Sequence, residues 1–265
     1  MTPLQGKVVL VTGGSSGIGR AAVRRFAAAG ARVVFAARGR DRGEAVAEEV
    51  RKSGGDARFV QADVASPDDV ERLVVETVSI YGRLDAAFNN AATVDGAFAL
   101  TADFTPEQFD RTLTMNLKSV WLCLAREIRQ MLAQSPSGGS IVNTSSVNGL
   151  GGAAGGSLYS AAKAGVLALT KSAAQEYATQ NIRVNALVAG AFRTPMLEQV
   201  FDVAGGATAE GRAGVEQQYS SLVAMRRIGD PEEAAAVALW LCSDESTYVT
   251  GHSMIVDGGM TAATR

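Results

Sequence analysis

Two side chains with complementary acid–base chemistry lie four residues apart in the segment GGSLYSAAKAG. Tyr159 and Lys163 would share one face of a helix, because residues at i and i+4 are neighbours there. An ammonium held beside a phenol favours the phenolate and lowers a pKa that is about 10 when unperturbed. Tyr159 is therefore a candidate proton donor or acceptor. The pair alone is a weak signal, since this spacing also arises between ordinary surface residues.

A glycine-rich turn near the amino terminus gives the pair its context. Residues 7–11 are rich in β-branched side chains and predict a buried parallel strand. The turn TGGSSGIG follows, and residues 20–29 then show helical periodicity up to Gly30. Such a strand–turn–helix unit lets backbone N–H groups approach a pyrophosphate, which the positive end of the helix dipole also attracts. The alternative is a tight turn without a ligand; we predict a dinucleotide site.

Size and composition favour one α/β domain covering residues 1–265. The net charge of −2 gives no electrostatic footprint for nucleic acid or an anionic membrane. We find no signal peptide and no apolar run long enough to span a membrane, so we expect a cytoplasmic protein. Cys123 and Cys242 lie in apolar helical segments without metal-ligand spacing, and we expect buried, reduced thiols and no metal. His252, the only histidine, is expected to be structural.

Strand and helix patterns alternate along the chain. This alternation predicts a Rossmann-type, doubly wound, seven-stranded parallel sheet with helices on both faces. The predicted strands are 7–12, 32–37, 57–61, 84–88, 139–144, 182–188 and 253–256. The predicted helices are 18–29, 41–53, 67–81, 106–133, 158–179 and 231–243. Residues 190–228 are expected to be irregular and to form a substrate lid.

The order of these motifs resembles that of short-chain dehydrogenases/reductases of the single-domain kind. The resemblance covers nearly the whole chain. TGGSSGIG is similar to the family's cofactor turn, and residues 89–92 (NNAA) are similar to its Asn-Asn-Ala-Gly segment. The carboxyl-terminal TGHSMIVDGG is similar to its closing strand. Ala92 stands where the family usually has Gly, and Ala189 where it usually has Pro; the second change removes a fixed φ at the entry to the lid.

The resemblance implies a site for each part of a hydride-transfer reaction. The implied catalytic residues are Asn116, Ser146, Tyr159 and Lys163. The implied cofactor-binding residues are Gly13, Ser15, Ser16, Gly17, Ile18, Gly19, Arg38, Asp63, Val64, Asn90, Ala91, Tyr159, Lys163 and Thr194. Tyr159 would move the proton, Lys163 would hold the nicotinamide ribose, and Asn116 would hold a relay water. Ser145 is a rival for Ser146, and Asn116 could instead mark a helix irregularity.

The end of the second strand bears on the choice between NADP(H) and NAD(H). A carboxylate there would accept a hydrogen bond from the ribose 2′-OH and repel a 2′-phosphate. The sequence has Ala37 at that place and Arg38 directly after it. A guanidinium can bind a phosphate through two hydrogen bonds, so we predict a preference for NADP(H). The alternative is a solvated arginine-rich loop in an enzyme that prefers NAD(H), which remains possible as a cofactor.

The predicted substrate pocket is apolar. It should include Asn148 beside Ser146, together with Phe192 and Met196 at the lid; Val94, Phe98, Val147, Leu150, Leu197 and Phe201 are further candidates, some of which could pack in the core instead. This lining suits a hydrophobic or cyclic carbonyl or a 3-oxoacyl compound.

We therefore predict an NAD(P)(H)-dependent oxidoreductase that interconverts a ketone or aldehyde and an alcohol. A cofactor-binding redox sensor or scaffold without turnover is the alternative, and an epimerase or dehydratase of related type is another. The resemblance also implies a homotetramer, assembled through the helices at 106–133 and 158–179. Their small and apolar residues could equally belong to the intramolecular core.

Overall fold

The architecture is a seven-stranded parallel sheet with helices on both faces, seen in a computed structural model that describes residues 3–206 and 208–262. The strands follow the order β3-β2-β1-β4-β5-β6-β7, which confirms the predicted doubly wound fold. Strand order runs outwards from β1 to β3 on one side and from β4 to β7 on the other. Between β1 and β4 the connections therefore leave in opposite directions, which opens a crevice at the carboxyl ends of these strands. The strands are β1 Val8–Thr12, β2 Arg32–Ala37, β3 Asp56–Gln61, β4 Ala86–Asn89, β5 Gly139–Ser146, β6 Ile182–Ala189 and β7 Ser253–Val256.

Helices cover the two faces of the sheet with separate apolar clusters. The α-helices are α1 Gly17–Ala28, α2 Arg40–Lys52, α3 Pro67–Tyr81, α4 Pro106–Leu113, α5 Ser119–Ala133, α6 Ser157–Tyr177, α7 Pro195–Gly205, α8 Ala209–Leu222 and α9 Pro231–Cys242. Phe26 of α1 and Leu241 of α9 pack in the cluster on one face. Leu73 of α3 and Ile128 of α5 pack in the cluster on the other face.

Helix starts follow the capping signals in the sequence. The Ser66 hydroxyl accepts a hydrogen bond from the Asp69 N–H at the start of α3. Asp230 and Glu233 form a capping box at the start of α9. Asp230 immediately precedes the helix, and Glu233 is its third residue after Pro231 and Glu232. These caps satisfy N–H groups that a helix leaves without partners, and they explain why the predicted boundaries lie close to the observed ones.

The predicted helix 106–133 is helical throughout but is not one regular α-helix, and the helix irregularity considered for Asn116 is confirmed. A π-helical turn at Thr114–Lys118 separates α4 from α5. Asn116 lies in this turn and is fully buried. A π turn inserts one extra residue and turns the following side chains to a new direction, and such turns often occur at functional sites.

The region 190–228 is also more regular than predicted, because it contains α7 and α8. Thr194 and Thr208 cap these helices with their hydroxyls. Arg212 forms ion pairs with Glu198 and Asp202, which join the two helices. Two residues after Ala189, the Ala191 carbonyl accepts a hydrogen bond from the Gly229 N–H at 3.0 Å, which ties the entry of this region to its end.

Other sequence predictions concern burial and assembly. Cys123 and Cys242 are buried free thiols, as predicted. Within the described residues, no helix combines the length and the hydrophobicity that crossing a membrane requires. In the helices expected to form a tetramer interface, Trp121 is half exposed, whereas Leu124 and Ala173 are buried in the core. The tetramer stays a prediction.

A buried polar chain links four elements beneath the crevice. Glu127 of α5 accepts a hydrogen bond from Asn89 Nδ2 of β4 at 2.8 Å. The same amide donates to Asn143 Oδ1 of β5 at 3.0 Å, and Asn143 Nδ2 donates to Thr170 Oγ1 of α6 at 3.0 Å. Glu127 is fully buried, and burial raises its pKa to about 8. A neutral carboxyl group therefore sits in the core at neutral pH.

The proton on Glu127 makes stability depend on pH. The folded protein holds this proton up to about pH 8, whereas an ordinary glutamate loses it near 4.5. Wild-type stability therefore falls as pH rises through that window, by about 1.4 kcal/mol per pH unit from this group. We expect the free energy of unfolding, measured with urea, to differ between Glu127→Gln and wild type by an amount that grows with pH. This difference should increase in favour of Glu127→Gln by about 1.4 kcal/mol per pH unit up to about pH 8 and stay constant above it.

Glu127→Ala provides the matched control. It also cannot titrate, so it should show the same slope relative to wild type, at lower stability because the contact with Asn89 is lost. Parallel pH dependence in wild type and Glu127→Gln would contradict the buried neutral carboxyl.

Candidate active site

A crevice of about 560 Å³ lies at the carboxyl ends of β1, β4, β5 and β6 and brings most of the predicted site residues together. The predicted residues that line it are Gly13, Ser15, Ser16, Gly17, Ile18, Arg38, Asp63, Val64, Asn90, Ala91, Ser146, Asn148, Tyr159, Lys163, Phe192, Thr194 and Met196. Gly19 and Asn116 do not line it. The crevice is thus shared by β-strand ends, the glycine turn, the start of α6 and the region 190–228.

Ser146 and Tyr159 meet in the middle of the crevice. Ser146 is the last residue of β5, and Tyr159 lies in the first turn of α6. The Ser146 Oγ accepts a hydrogen bond from the Asn148 N–H at 3.2 Å and also forms a hydrogen bond with the Tyr159 hydroxyl. Two hydroxyls therefore point to one place, where they could donate to a substrate oxygen.

Lys163 lies one turn further along α6 and is almost fully buried, at 1% exposure. Its Nζ donates to the Thr144 carbonyl at 3.0 Å and lies 5.6 Å from the centroid of the Tyr159 ring. Burial lowers the pKa of Lys163 to about 8, so the ammonium form still predominates at neutral pH. An ammonium has three N–H donors, and one of them is used by Thr144. Lys163 also lines the crevice, so its other donors could bind a ligand there.

The pKa of Tyr159 corrects one sequence expectation. Desolvation raises the pKa of Tyr159 to about 12, and the hydrogen bond with Ser146 lowers it by less than that. We expected Lys163 to lower this pKa, but its ammonium is directed towards the Thr144 carbonyl. Tyr159 is therefore a protonated phenol at neutral pH in the protein alone, which suits a proton donor.

Side-chain contacts bear on the alternatives raised for Ser146 and for Asn116. Ser145 is buried, and its hydroxyl donates to the Lys163 backbone carbonyl at 2.8 Å, which leaves Ser146 as the serine beside Tyr159. Asn116 Oδ1 accepts a hydrogen bond from the Thr93 N–H at 3.1 Å. Its side chain thus fixes the segment after β4, and Thr93 is a site neighbour that the sequence interpretation missed.

The glycine turn fits a pyrophosphate. Gly13 has a φ of 69°, and a Cβ there would lie 2.9 Å from the Ala91 Cα, so only glycine allows this close approach. Ser16 is the N-cap residue of α1, but its side chain makes no hydrogen bond to the first turn. The first N–H groups of α1 are therefore available to an anion in the crevice. Thr12, also missed from sequence, holds the opposite wall by accepting from Asn90 N–H at 3.0 Å.

The end of the crevice next to the end of β2 is positively charged on one side. Arg38 and Arg42 line it there, and the Arg42 guanidinium packs over Gly39. Asp63 is the only carboxylate among the described lining residues. One of its oxygens accepts a hydrogen bond from the Ala65 N–H at 3.0 Å. Ala37, the last residue of β2, also lines this end of the crevice.

The other end of the crevice is apolar. Val94, Phe98, Val147, Phe192, Met196 and Leu197 line it, as predicted. Two predicted pocket residues are wrong: Phe201 is fully buried against Leu197 and Ile228, and Leu150 is an exposed residue outside the crevice. Tyr219 of α8 and Met260 line the crevice and were missed. Tyr219 lies in the region expected to form the lid, but the helix that carries it was not foreseen. Met260 follows β7, where the sequence carried no signal for the pocket.

Comparison with known proteins agrees with this geometry. A family profile described as Enoyl-(Acyl carrier protein) reductase matches residues 13–261. The chain is 42% identical to 2,5-dichloro-2,5-cyclohexadiene-1,4-diol dehydrogenase of Sphingobium indicum, over 99% of this chain and 100% of the relative. The chain belongs to the short-chain dehydrogenase/reductase family. Members of this family are oxidoreductases that use nicotinamide cofactors and interconvert carbonyl and CH–OH groups.

Two further similarities span the full length. The chain is 40% identical to the A-factor type gamma-butyrolactone 1'-reductase (1S-forming) of Streptomyces virginiae, over 98% of this chain and 99% of the relative. The crystal structure of levodione reductase superposes with a TM-score of 0.92 at 35% identity, covering 98% of this chain and 100% of that one. These agreements confirm the single-domain fold predicted from sequence.

The glycine turn can be tested at Gly19. A Cβ at this position would collide with the Gly13 carbonyl oxygen and lie 2.7 Å from Asn90 Nδ2, so the turn would have to shift. We expect Gly19→Ala to lose about 1–3 kcal/mol of stability in urea unfolding and to bind NADPH at least about tenfold more weakly in a fluorescence titration. Gly214→Ala is the control, because open space surrounds that helical glycine. Wild-type affinity in Gly19→Ala would contradict the assigned turn.

Proposed function

We propose that the protein is an NADP(H)-dependent carbonyl reductase or alcohol dehydrogenase acting on hydrophobic, cyclic substrates. The observation that supports this most directly is the convergence of Ser146, Tyr159 and Lys163 in one crevice, beside the uncapped start of α1. The region 190–228 would serve as the substrate lid, since Phe192, Met196 and Leu197 from it line the apolar end of the crevice.

The side chains divide the reaction between them. The nicotinamide supplies a hydride to the carbonyl carbon in reduction and accepts one in oxidation. In reduction the carbonyl oxygen gains negative charge, which hydrogen bonds from Ser146 and Tyr159 would stabilise. Tyr159 gives its proton to that oxygen, and the product is the alcohol. Lys163 would bind the ribose hydroxyls with its free N–H donors and favour the phenolate that Tyr159 leaves behind.

Asn116 is proposed to act indirectly, without contacting the reacting atoms. Its carbonyl oxygen holds the Thr93 N–H in the segment that follows β4. The π turn that carries it lies against α6, which carries Lys163. In the proposed relay, Asn116 holds a water that returns a proton to Tyr159 by way of Lys163.

The substrate class is inferred from the apolar lining and from the relatives. Hydrophobic side chains dominate the end of the crevice next to Tyr159. The relatives are named for a cyclohexadiene diol, a gamma-butyrolactone and levodione. A cyclic ketone or secondary alcohol fits both observations.

The role of Tyr159 is tested by removing its hydroxyl. We expect Tyr159→Phe to lower kcat on a panel of cyclic ketones by about 10²–10⁴-fold, because the proton donor is lost. The affinity for NADPH should stay within about threefold of wild type, since the binding groups remain. Tyr177→Phe on the same helix is the control and should leave kcat unchanged. Cofactor binding by the wild type without turnover of any ketone would favour the redox-sensor or scaffold alternative.

The preference for NADP(H) is tested at the arginines of the crevice. A charge-assisted contact with a 2′-phosphate is worth about 1.5–3 kcal/mol, so Arg38→Ala should lower kcat/KM for NADPH by roughly 10–100-fold and leave that for NADH unchanged. Arg40→Ala is the control, because this exposed arginine at the start of α2 is close in sequence but does not line the crevice. A higher kcat/KM with NADH than with NADPH in the wild type would overturn the preference.

A further inference from the structure

Phe98 has a backbone conformation that is unfavourable for its side chain. Its φ is 74°, in the left-handed region that glycine adopts readily and bulky residues avoid. Among the described residues, only Asn181 and Arg226 share this property outside the glycines. Asn181 ends a helical turn, where a left-handed asparagine is common. Phe98 is different, because it lies in the segment between β4 and α4 that borders the crevice.

Backbone contacts on both sides of Phe98 maintain this conformation. The Gly96 carbonyl accepts a hydrogen bond from the Tyr159 N–H at 3.2 Å, and the Ala99 N–H donates to the Gly155 carbonyl at 3.2 Å. Gly96 is itself required, since a Cβ there would lie 2.9 Å from the Tyr159 nitrogen. The segment around Phe98 is thus fixed at Gly96 to the start of α6 and at Ala99 to the loop before it, and a relaxation of Phe98 would loosen these two hydrogen bonds.

The strained backbone places an aromatic ring at the crevice. Phe98 lines the apolar end, yet 43% of its surface remains exposed. Leu100, two residues further on, is 68% exposed but does not line the crevice and has an ordinary φ of −69°. Strain that persists beside a crevice is a recognised sign of function, and an exposed aromatic ring offers a rigid apolar contact surface.

We propose that Phe98 is a specificity-determining residue whose ring covers the apolar ring of a cyclic ketone or secondary alcohol held at Tyr159. This inference rests on the proposed function and narrows its substrate class. Because the backbone contacts already fix the position of the ring, little conformational freedom is lost when a substrate binds. A short open-chain ketone reaches Ser146 and Tyr159 without touching Phe98 and gains nothing from it.

The kinetic test compares Phe98→Ala with Leu100→Ala. The probes are 2-decalone, a bicyclic ketone, and 2-butanone, an open-chain ketone, with NADPH saturating. Removal of half-buried aromatic surface should raise KM for 2-decalone about tenfold in Phe98→Ala. The kcat for 2-decalone and both constants for 2-butanone should stay within about twofold of wild type. Leu100→Ala should match wild type on both probes. Equal changes of KM for the two ketones, or no change for either, would overturn the proposal.

A stability test examines the strain without any substrate. Glycine adopts a φ of 74° freely, so Phe98→Gly should melt at least about 2 °C higher than Phe98→Ala in a thermal scan followed by circular dichroism. The order should reverse at Leu100, where Leu100→Ala should melt higher than Leu100→Gly. Phe98→Gly melting at or below Phe98→Ala would show that no strain is held there, and would overturn the structural basis of the proposal.

The kinetic outcomes also separate this inference from the function on which it rests. Turnover of 2-decalone by Phe98→Ala with wild-type KM overturns the role of Phe98 and leaves the proposed reductase intact. Failure of the wild type to reduce any member of a panel of cyclic and open-chain ketones overturns both.

Discussion

The buried ammonium of Lys163 is the constraint on which the site depends. A cation with 1% exposure is unfavourable unless it is hydrogen bonded, and its protein acceptor is the Thr144 carbonyl at the end of β5. Ser145 binds the Lys163 carbonyl in return, and a Cβ at Gly149 would lie 2.8 Å from the same backbone. These contacts fix α6 against β5. They set the distance between Tyr159 and Ser146, and they leave the remaining Lys163 donors directed at the crevice.

Much of the fold and of the site could be predicted because the signals are local. A β-branched run followed by a glycine turn and a helical pattern specifies the first strand, the turn and α1, and the same alternation repeats along the chain. Parallel strands bring their carboxyl ends to one edge, so Asn90 after β4 and Ser146 at the end of β5 had to lie close together. The spacing of Tyr159 and Lys163 then placed both on one side of α6.

The remaining features depend on packing between distant segments. The π turn around Asn116 arises within a stretch whose periodicity looks like one helix. The helices of the lid contain Gly205, Gly211 and Gly214 and are held partly by ion pairs of Arg212, which no local pattern indicates. The pKa of Tyr159 reflects the desolvation of the whole crevice and the direction of the Lys163 side chain. Likewise, Glu127 lies on an amphipathic helix, and only the tertiary structure shows that Asn89 covers it.

The most direct test of the coupling between Lys163 and Tyr159 is the pKa of the phenol, measured by NMR of tyrosine labelled with carbon-13 at Cζ. The chain has five tyrosines, and Tyr159→Phe identifies the resonance. We expect a pKa of about 12 in the protein alone. Saturating NADP⁺ should lower it, because ribose hydroxyls bound by Lys163 would hold its ammonium beside the phenol, and Lys163→Met should remove most of that decrease. The same pKa with and without NADP⁺, or an equal decrease in both proteins, would contradict a lysine-assisted tyrosine.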